Sequence, residues 1–313
     1  MATLPPIPEV TRLTPSCIRI LAGNPGKFTL QGTNTYLLGT GPRRLLIDTG
    51  EGRPSWATAL RRVLSEERAK VAHAVITHRH GDHIGGVGDL RTLWREAGQG
   101  QGEEEGVGSW THARIADGQQ FRVEGATLTA VHTPGHTPDH VVFFWDEEGA
   151  LFTGDNVLGH GTSVFGDLGQ YVSSLEKMGQ LYEEKRDTKG GTGAGTKKAY
   201  PAHGEVVEDG PGKIAEYIRH RGQREEQVVQ TLRSVGAVST TGTNNGSENG
   251  NGVAWTVMEL VKSIYRDVPE SLHLAAANGV VQILHKLERE GRAVAVDDGE
   301  RWRLVNGAGR SAL

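Results

Sequence analysis

The chain has 313 residues, a formal net charge of −4, 36% hydrophobic and 23% charged residues. This length allows one large domain and a small second one, and the slight acidity gives no global attraction to nucleic acid or anionic membranes. Cys17 is the only cysteine, so intrachain disulfides are excluded and any metal must use nitrogen or oxygen ligands. The N-terminus lacks a signal-peptide pattern, and no run approaches the ~18 apolar residues of a membrane span. We expect a soluble, intracellular, cytoplasmic protein without a membrane partner.

Alternating short apolar runs and amphipathic segments predict a mixture of strands and helices. In the first half, strands are predicted at 17–22, 34–39, 44–48 and 72–77, with helices at 54–70 and from about Gly86. In the second half, strands are predicted at 126–132, 141–145 and 150–153, with helices at 168–186 and 211–234. The Gly-rich segments 98–108 and 187–198 predict surface loops. Two β-rich halves followed by helices indicate a layered α/β architecture.

A polar, Gly/Asn-rich linker at 240–252 separates two predicted domains. We expect an N-terminal extension at 1–16, a main domain at 17–239 and a small domain at 253–313. The small domain has helical patterns at 256–265 and 272–290, then strands at 293–296 and 301–305 around a turn signal. This order is typical of a winged helix. Its acidic and basic residues balance, which favours packing or dimerisation over DNA reading.

The most informative segment is His78-Arg79-His80-Gly81-Asp82-His83, directly after a predicted buried strand. Imidazole nitrogen and carboxylate oxygen are ligands of first-row divalent metals. Because the chain turns at Gly81, His78 and His80 can share one metal while Asp82 and His83 face a second. The segment therefore predicts a metal site.

Three more potential ligands follow, each on a loop that ends a short strand. They are His136 after a Pro-Gly turn, Asp155 after an apolar run, and His203 after a short apolar step. The three positions are far apart in the sequence, so these side chains converge only in the folded state. Distributed ligands of this kind are typical of a catalytic site on a rigid scaffold rather than a local structural zinc site.

The ordered set HxHxDH, His, Asp, His resembles the metallo-β-lactamase superfamily over about residues 17–235. The resemblance implies a four-layer αββα sandwich and two divalent metal ions, Zn²⁺ first, with Fe or Mn as alternatives. Carried over by position, the first metal would be held by His78, His80 and His136. The second would be held by Asp82, His83 and His203, with Asp155 bridging the two. The resemblance makes Asp82 also the catalytic residue, which orients the nucleophile and moves a proton.

The stretches 32–36, 46–50 and 154–161 are similar to a lactamase-like branch that carries a C-terminal winged helix. That branch includes an animal mitochondrial endoribonuclease and fungal thioesterases of the atrochrysone carboxyl-ACP type. The stretch 23–31 resembles the fungal members more closely. The resemblance implies a thioesterase that releases a polyketide acyl chain from the acyl carrier protein of a polyketide synthase, with a homodimer possible. Alternatives are an endoribonuclease acting on single-stranded RNA and a non-catalytic binding protein.

Several neighbouring residues are further candidates for roles at the site. Asp48 ends an apolar run, which favours a hydrogen-bonding role in orienting the ligand loops. His160 lies in a Gly-bounded loop and is a candidate substrate contact. Arg79 stands where the family often has Trp, and it can alter the pocket wall or bind an anion. Asn34 and Thr35 are expected to serve a turn.

Overall fold

The computed structural model describes residues 4–98, 113–187, 196–234 and 253–305. These residues form two compact units. The first unit comprises residues up to 165 together with 170–217, and the second comprises 166–169 together with residues from 218 onward. The predicted linker at 240–252, almost all of the predicted loop at 98–108 and residues 188–195 lie outside the described residues. The predicted domain boundaries therefore stay predictions.

The first unit is built around two five-stranded sheets. The first sheet has the order β1 (Val10–Thr14), β2 (Cys17–Leu21), β3 (Asn34–Leu38), β4 (Arg43–Ile47) and β5 (Lys70–Val75). The second has the order β10 (Ala199–Pro201), β9 (Ala150–Gly154), β8 (Val141–Trp145), β7 (Ala126–His132) and β6 (Gln120–Val123). Only the pairs β4–β5 and β9–β10 are parallel. Each sheet thus places a parallel pair at one edge.

The main hydrophobic core lies between the two sheets. Successive strand residues point to opposite faces, so Tyr36 and Leu38 enter this core while Leu37 faces away from it. The Tyr36 ring lies 5.0 Å from the Phe152 ring, and Phe152 stacks on Tyr200 at 4.9 Å. Aromatic contacts of this kind join the two inner faces into one rigid scaffold.

Helices α1 (Pro54–Glu66) and α3 (Val87–Gly98) cover the outer face of the first sheet, and α4 (Leu168–Asp187) packs on the second. The structure also contains the short helix α2 (Gly81–Ile84) and the long helix α5 (Gly210–Arg233). Buried Trp56 and Leu60 of α1 pack with Leu37 and Leu46 on the outer face of the first sheet. Tyr182 of α4 packs its ring 6.3 Å from Phe144 on the second sheet. The expected α/β/β/α layering is therefore confirmed.

The second unit contains β11 (Trp255–Thr256), α6 (Val257–Ile264), α7 (His273–Arg289), β12 (Ala293–Val296) and β13 (Arg301–Leu304). Its three strands pair in the order β11-β13-β12. A capping box begins α6, in which Thr256 and Glu259 satisfy each other's backbone N–H groups. The helices followed by a β12–β13 hairpin confirm the predicted winged-helix order. None of the described helices is both long and apolar enough to cross a membrane.

The structure corrects several predicted element boundaries. Strands β1, β6 and β11 were not predicted. Helix α1 ends at Glu66 rather than residue 70, because Arg68 adopts a left-handed φ of 50°. Strand β5 ends at Val75 rather than residue 77, because the Thr77 N–H donates to Asp48 at 2.8 Å instead of to a strand. The predicted turn after His80 is a single helical turn, α2.

Candidate metal centre

The structure brings all seven predicted ligand side chains together in two adjoining clusters. Within each cluster, the potential ligand atoms lie within 4.8 Å of one another. The first cluster is His78, His80, His136 and Asp155, and the second is Asp82, His83 and His203. Every one of these residues sits on a loop or a short helix at the end of a sheet strand, so the rigid sheets fix where the clusters meet.

In the first cluster, three imidazole nitrogens converge on one point. His80 Nδ1 lies 2.9 Å from His78 Nε2 and 3.1 Å from His136 Nε2. Asp155 Oδ2 closes the group, 3.5 Å from His136 Nε2 and 3.9 Å from His78 Nε2. A divalent cation bound between these nitrogen atoms would use their lone pairs as ligands.

In the second cluster, two imidazoles face two carboxylates. Asp82 Oδ2 lies 3.3 Å from both His83 Nε2 and His203 Nε2. Asp155 Oδ1 lies 3.1 Å from His203 Nε2 and 3.5 Å from His83 Nε2. Asp155 therefore points one carboxylate oxygen at each cluster, which is the arrangement of a bridging ligand.

Short backbone elements set the directions of these side chains. The single turn of α2 places Asp82 and His83 beside each other, and Gly85 N closes it on Gly81 O at 2.8 Å. Glycine is required at two positions, because any side chain there would collide with the backbone of a neighbouring segment. A Cβ on Gly86 would lie 2.0 Å from Thr49 O, and one on Gly135 would lie 2.3 Å from Tyr171 Cα. The loops before His136 and after His83 therefore pack directly against backbone.

Asp48 lies beneath the clusters, 1% exposed, and holds the end of the ligand strand. It accepts hydrogen bonds from the Thr77 N–H at 2.8 Å and the Thr77 hydroxyl at 2.9 Å. Its Oδ2 also lies 2.8 Å from His83 Nδ1. A carboxylate beside Nδ1 keeps the imidazole proton on that nitrogen. The lone pair of His83 Nε2 is therefore free to bind a metal ion in the second cluster.

The β2–β3 loop supports Asp82 through two residues that sequence reasoning missed. The Thr33 hydroxyl donates to Asp82 Oδ2 at 3.2 Å. Asn24 in turn accepts from the Thr33 N–H at 2.9 Å and donates to the Thr33 hydroxyl at 3.0 Å. Asn24 lies in the stretch 23–31 and Thr33 in the stretch 32–36, both of which resemble the family. This resemblance was the one indication in the sequence that the two residues belong to the site.

The expectation that Asn34 and Thr35 serve a turn is wrong, whereas the strand predicted at 34–39 is correct for both, because they lie buried in β3. The Asn34 amide donates to Pro201 O and Gly204 O, each at 2.8 Å, so it fixes the loop that carries His203. Thr35 accepts from the indole N–H of Trp56 at 2.9 Å. Extended backbone lets both polar side chains reach across to neighbouring elements.

Two further residues, Val164 and His140, orient the remaining candidate ligands. The Val164 carbonyl lies 2.8 Å from His136 Nδ1, so this nitrogen carries the proton and Nε2 is free. The fully buried His140 accepts the Asp155 N–H through Nε2 at 3.1 Å and lies 3.1 Å from the Thr133 hydroxyl through Nδ1. A carbonyl contact from a distant loop leaves no pattern in the sequence.

The structure places the other candidates at the edge of the site. Arg79 is 68% exposed, and its Nε lies 3.9 Å from Asp139 Oδ1. His160 is exposed, on a loop whose Gly159 N–H donates to His203 O at 2.9 Å. Neither side chain is among the ligand groups of the described residues.

Burial and charge set the protonation of the two clusters. Burial lowers the pKa of His78 below its ordinary value, and neighbouring imidazoles add to the effect. Burial would lower the pKa of His203 as well, but the charge of Asp155 and hydrogen bonds to both carboxylates raise it to about 9. Burial would raise the pKa of Asp82, but hydrogen bonds with His203 and His83 hold it below its ordinary value. Burial thus favours the neutral imidazole at His78, whereas the two carboxylates favour the protonated imidazole at His203, so a metal ion bound by His203 has to displace a proton.

Two buried polar atoms test whether a metal fits. His83 Nε2 and Asp155 Oδ1 are among the buried atoms of the described residues that lack a well-aligned hydrogen-bond partner, and within the second cluster they have only charge contacts of 3.1–3.5 Å. An unpaired buried polar atom costs about 1–3 kcal/mol, so such atoms need a partner. The nitrogen and oxygen donors fit a divalent metal ion.

Comparison with known proteins agrees with this fold and site. The chain belongs to the metallo-β-lactamase superfamily, whose family model matches residues 28–186. Residues 256–302 match the β-lactamase-associated winged helix domain. The class of protein is therefore a metal-dependent hydrolase with an appended winged helix.

Similar proteins come from filamentous fungi. The lactamase-like protein adaB of Aspergillus niger is 43% identical, covering 100% of this chain and 93% of its own. The atrochrysone carboxyl ACP thioesterase of Aspergillus chevalieri is 41% identical over 96% of this chain and 91% of its own. A solved metallo-β-lactamase family protein of Thermus thermophilus shares the fold with a TM-score of 0.65 and 21% identity, covering 94% of this chain and 100% of its own.

Proposed function

We propose that the protein is a dinuclear metal-dependent thioesterase that releases a polyketide acyl chain from acyl carrier protein. Two metal ions are proposed because Asp155 presents Oδ2 to the first cluster and Oδ1 to the second. The thioester substrate is supported by relatives at 41% and 40% identity that are named as atrochrysone carboxyl ACP thioesterases. Zinc is the proposed metal at both clusters, with Fe or Mn as alternatives.

The residues divide into two roles. His78, His80 and His136 would hold the first ion, while Asp82, His83 and His203 would hold the second, with Asp155 between them. Two bound ions would polarise the substrate carbonyl and lower the pKa of water to about 7.

The Asp82 carboxylate is anionic and partly exposed on the solvent side of the second cluster. In this proposal Asp82 accepts a hydrogen bond from the attacking water and takes up its proton. Thr33 holds Asp82 in this orientation through the 3.2 Å hydrogen bond.

Leaving-group chemistry favours a thioester over RNA at this site. The leaving thiol has a pKa near ~8.5, so its expulsion needs little acid catalysis. An alkoxide leaving from RNA needs a strong proton donor. The titratable groups within the two clusters are all ligand candidates.

A side-by-side assay tests the substrate class. Metal-loaded protein is given acyl-ACP, acyl-glutathione and single-stranded RNA at matched concentrations, and products are quantified by mass spectrometry. We expect acyl-ACP to be hydrolysed with the highest kcat/KM. Cleavage of RNA alone would overturn the thioesterase proposal in favour of an endoribonuclease. A folded, fully metal-loaded protein that turns over none of the three would indicate a binding protein.

Variant Asp82→Ala tests the proposed catalytic role. We expect kcat/KM on acyl-ACP to fall by about 10²-fold or more, with an unchanged far-UV spectrum. Asp267→Ala, which removes an exposed carboxylate in the second unit, is the matched control and should keep wild-type activity. Product release by Asp82→Ala at the wild-type rate would contradict the assigned role.

Metal content tests the dinuclear site separately from activity. We expect about two ions per chain in the wild type and about one in His203→Ala, measured by elemental analysis after gel filtration. His132→Ala removes an exposed imidazole that contacts Pro138 O and should retain two. A fully folded wild type that takes up no divalent metal would refute the hydrolase mechanism.

A further inference from the structure

The imidazole of His203 is held differently from two other candidate ligands. Nδ1 of His83 contacts the Asp48 carboxylate at 2.8 Å. Nδ1 of His136 contacts the Val164 carbonyl, also at 2.8 Å. Nδ1 of His203 is buried and lacks a well-aligned hydrogen-bond partner among the described residues. On the side away from the clusters this imidazole therefore has no polar anchor, so its position depends on the backbone that carries it.

Two side chains of the first sheet hold the two ends of residues 201–205, which we call the His203 segment. At its start, the Tyr36 hydroxyl donates to the carbonyl of the first residue at 2.6 Å. At its end, Arg19 Nη1 donates to the Glu205 carboxylate at 2.9 Å. His203 lies midway between these two attachment points, so both ends of its backbone are fixed from outside the segment.

Arg19 and Tyr36 stand directly opposite each other on the neighbouring strands β2 and β3. Directly opposite residues of an antiparallel pair place their side chains on the same face of the sheet. Tyr36 belongs to the core between the two sheets, so Arg19 also points towards the second sheet. Strand β10, at the edge of that second sheet, leads into the His203 segment. The two side chains therefore join the sheets at the place where His203 leaves its strand.

Arg19 is a charged residue at a position where burial is costly. Its side chain is 2% exposed, whereas the side chain of its partner Glu205 is 56% exposed. A buried guanidinium needs an anion beside it, and Glu205 is the carboxylate that contacts it among the described residues. The backbone of Glu205 is confined as well, because a Cβ on Gly159 would lie 2.2 Å from Glu205 O. The end of the His203 segment is therefore fixed at both its side chain and its backbone.

We infer that Arg19 and Tyr36 are positioning residues for the second metal ion, since they hold the segment that presents His203. This inference rests on the proposed dinuclear site and adds two residues outside the ligand set to it. Nε2 of His203 lies 3.3 Å from Asp82 Oδ2 and 3.1 Å from Asp155 Oδ1. A metal site tolerates ligand displacements of only about 0.2 Å, so a shift of the segment weakens the second site. The first cluster contains no residue of the His203 segment and keeps its geometry.

Removing one group at each end of the segment tests the inference. Tyr36→Phe deletes the hydroxyl and leaves the ring, which lies 5.0 Å from Phe152. Glu205→Ala deletes the carboxylate that pairs with Arg19. We expect the zinc affinity of the second cluster to fall about tenfold in each variant, as it does when an outer hydrogen-bond partner is lost. Competition with a fluorescent chelator gives both affinities, and the binding step that is missing in His203→Ala identifies the second cluster.

Matched controls make the same chemical changes nearby. Tyr182→Phe removes a buried hydroxyl that donates to Lys198 O at 2.9 Å, just before β10. Glu208→Ala removes an exposed carboxylate that pairs with Lys198 at 2.9 Å. Both controls should retain both zinc affinities. An unchanged second-cluster affinity in Tyr36→Phe and Glu205→Ala would overturn the inference, and so would an equal loss at both clusters.

Amide hydrogen exchange of the full chain without added zinc separates this inference from the proposed function. We expect faster exchange at residues 202–205 in Tyr36→Phe and Glu205→Ala, and wild-type exchange in the two controls. If the wild type binds no zinc but exchange accelerates there, the dinuclear proposal fails while the hold on the His203 segment stands. If the wild type binds two ions and neither variant exchanges faster, the proposed function stands and the positioning role is refuted.

Discussion

Replacing Asp48 by asparagine is expected to remove metal selectively from the second cluster. The Asp48 carboxylate uses one oxygen for the Thr77 N–H at 2.8 Å and the other for His83 Nδ1, also at 2.8 Å. Asparagine offers a single acceptor oxygen. If that oxygen faces the Thr77 N–H, the amide NH₂ must face His83 Nδ1, and two donors then meet in a fully buried position.

The repulsion between the asparagine NH₂ and the His83 Nδ1 proton is relieved if that proton moves, but the move prevents His83 from binding a metal ion. His83 can move its proton from Nδ1 to Nε2, but Nε2 is the atom that faces Asp82 and Asp155. If the proton stays on Nδ1, a buried donor remains unpaired at a cost of about 1–3 kcal/mol. With about 1.4 kcal/mol for each tenfold change, this corresponds to roughly 5- to 150-fold weaker metal binding at the second cluster. Loss of an outer hydrogen-bond partner weakens metal sites by about 10–100-fold in general.

Competition with a fluorescent chelator measures both metal affinities of Asp48→Asn. We expect the metal affinity of the second cluster to fall roughly 5- to 150-fold, while the metal affinity of the first cluster stays unchanged. Nitrogen NMR of the imidazoles checks the tautomer of His83 directly. Asp267→Asn makes the same chemical change at an exposed position and should match the wild type. Wild-type affinities for both ions in Asp48→Asn would refute the tautomer argument.

Two further predictions concern stability. Gly135→Ala should lower the free energy of unfolding by more than about 3 kcal/mol in urea titrations, because the new Cβ would lie 2.3 Å from Tyr171 Cα at a φ of 133°. Gly118→Ala, at a φ of 78° with open space around the new Cβ, should cost only about 1–2 kcal/mol, and equal losses would contradict the steric explanation. Thr256→Ala should destabilise the second unit by about 1 kcal/mol, since it removes the hydroxyl that accepts the Glu259 N–H at 3.2 Å. Faster amide hydrogen exchange confined to α6 would be the signature, and unchanged exchange there would speak against the cap.

Sequence reasoning failed mainly where tertiary contacts overrode a local pattern. The end of β5 was misplaced because Thr77 bonds to Asp48, which lies 29 residues earlier in the chain. The segment after His80 was predicted as a turn from its glycines, yet Gly81 opens a helical turn that Gly85 closes. Asn34 was expected to serve a turn although it also begins the strand predicted at 34–39, and its buried amide donates to Pro201 O, 167 residues away.

The sequence by itself determined the types and order of the candidate ligands and the strands that precede them. Histidine and aspartate at strand ends are local features, so hydrophobic periodicity and the HxHxDH spacing were sufficient to find them. Only the tertiary structure decided that Asp155 faces both clusters and that the Val164 carbonyl orients His136. Those facts depend on how two stacked sheets bring distant loops to one edge, and no local pattern encodes that packing.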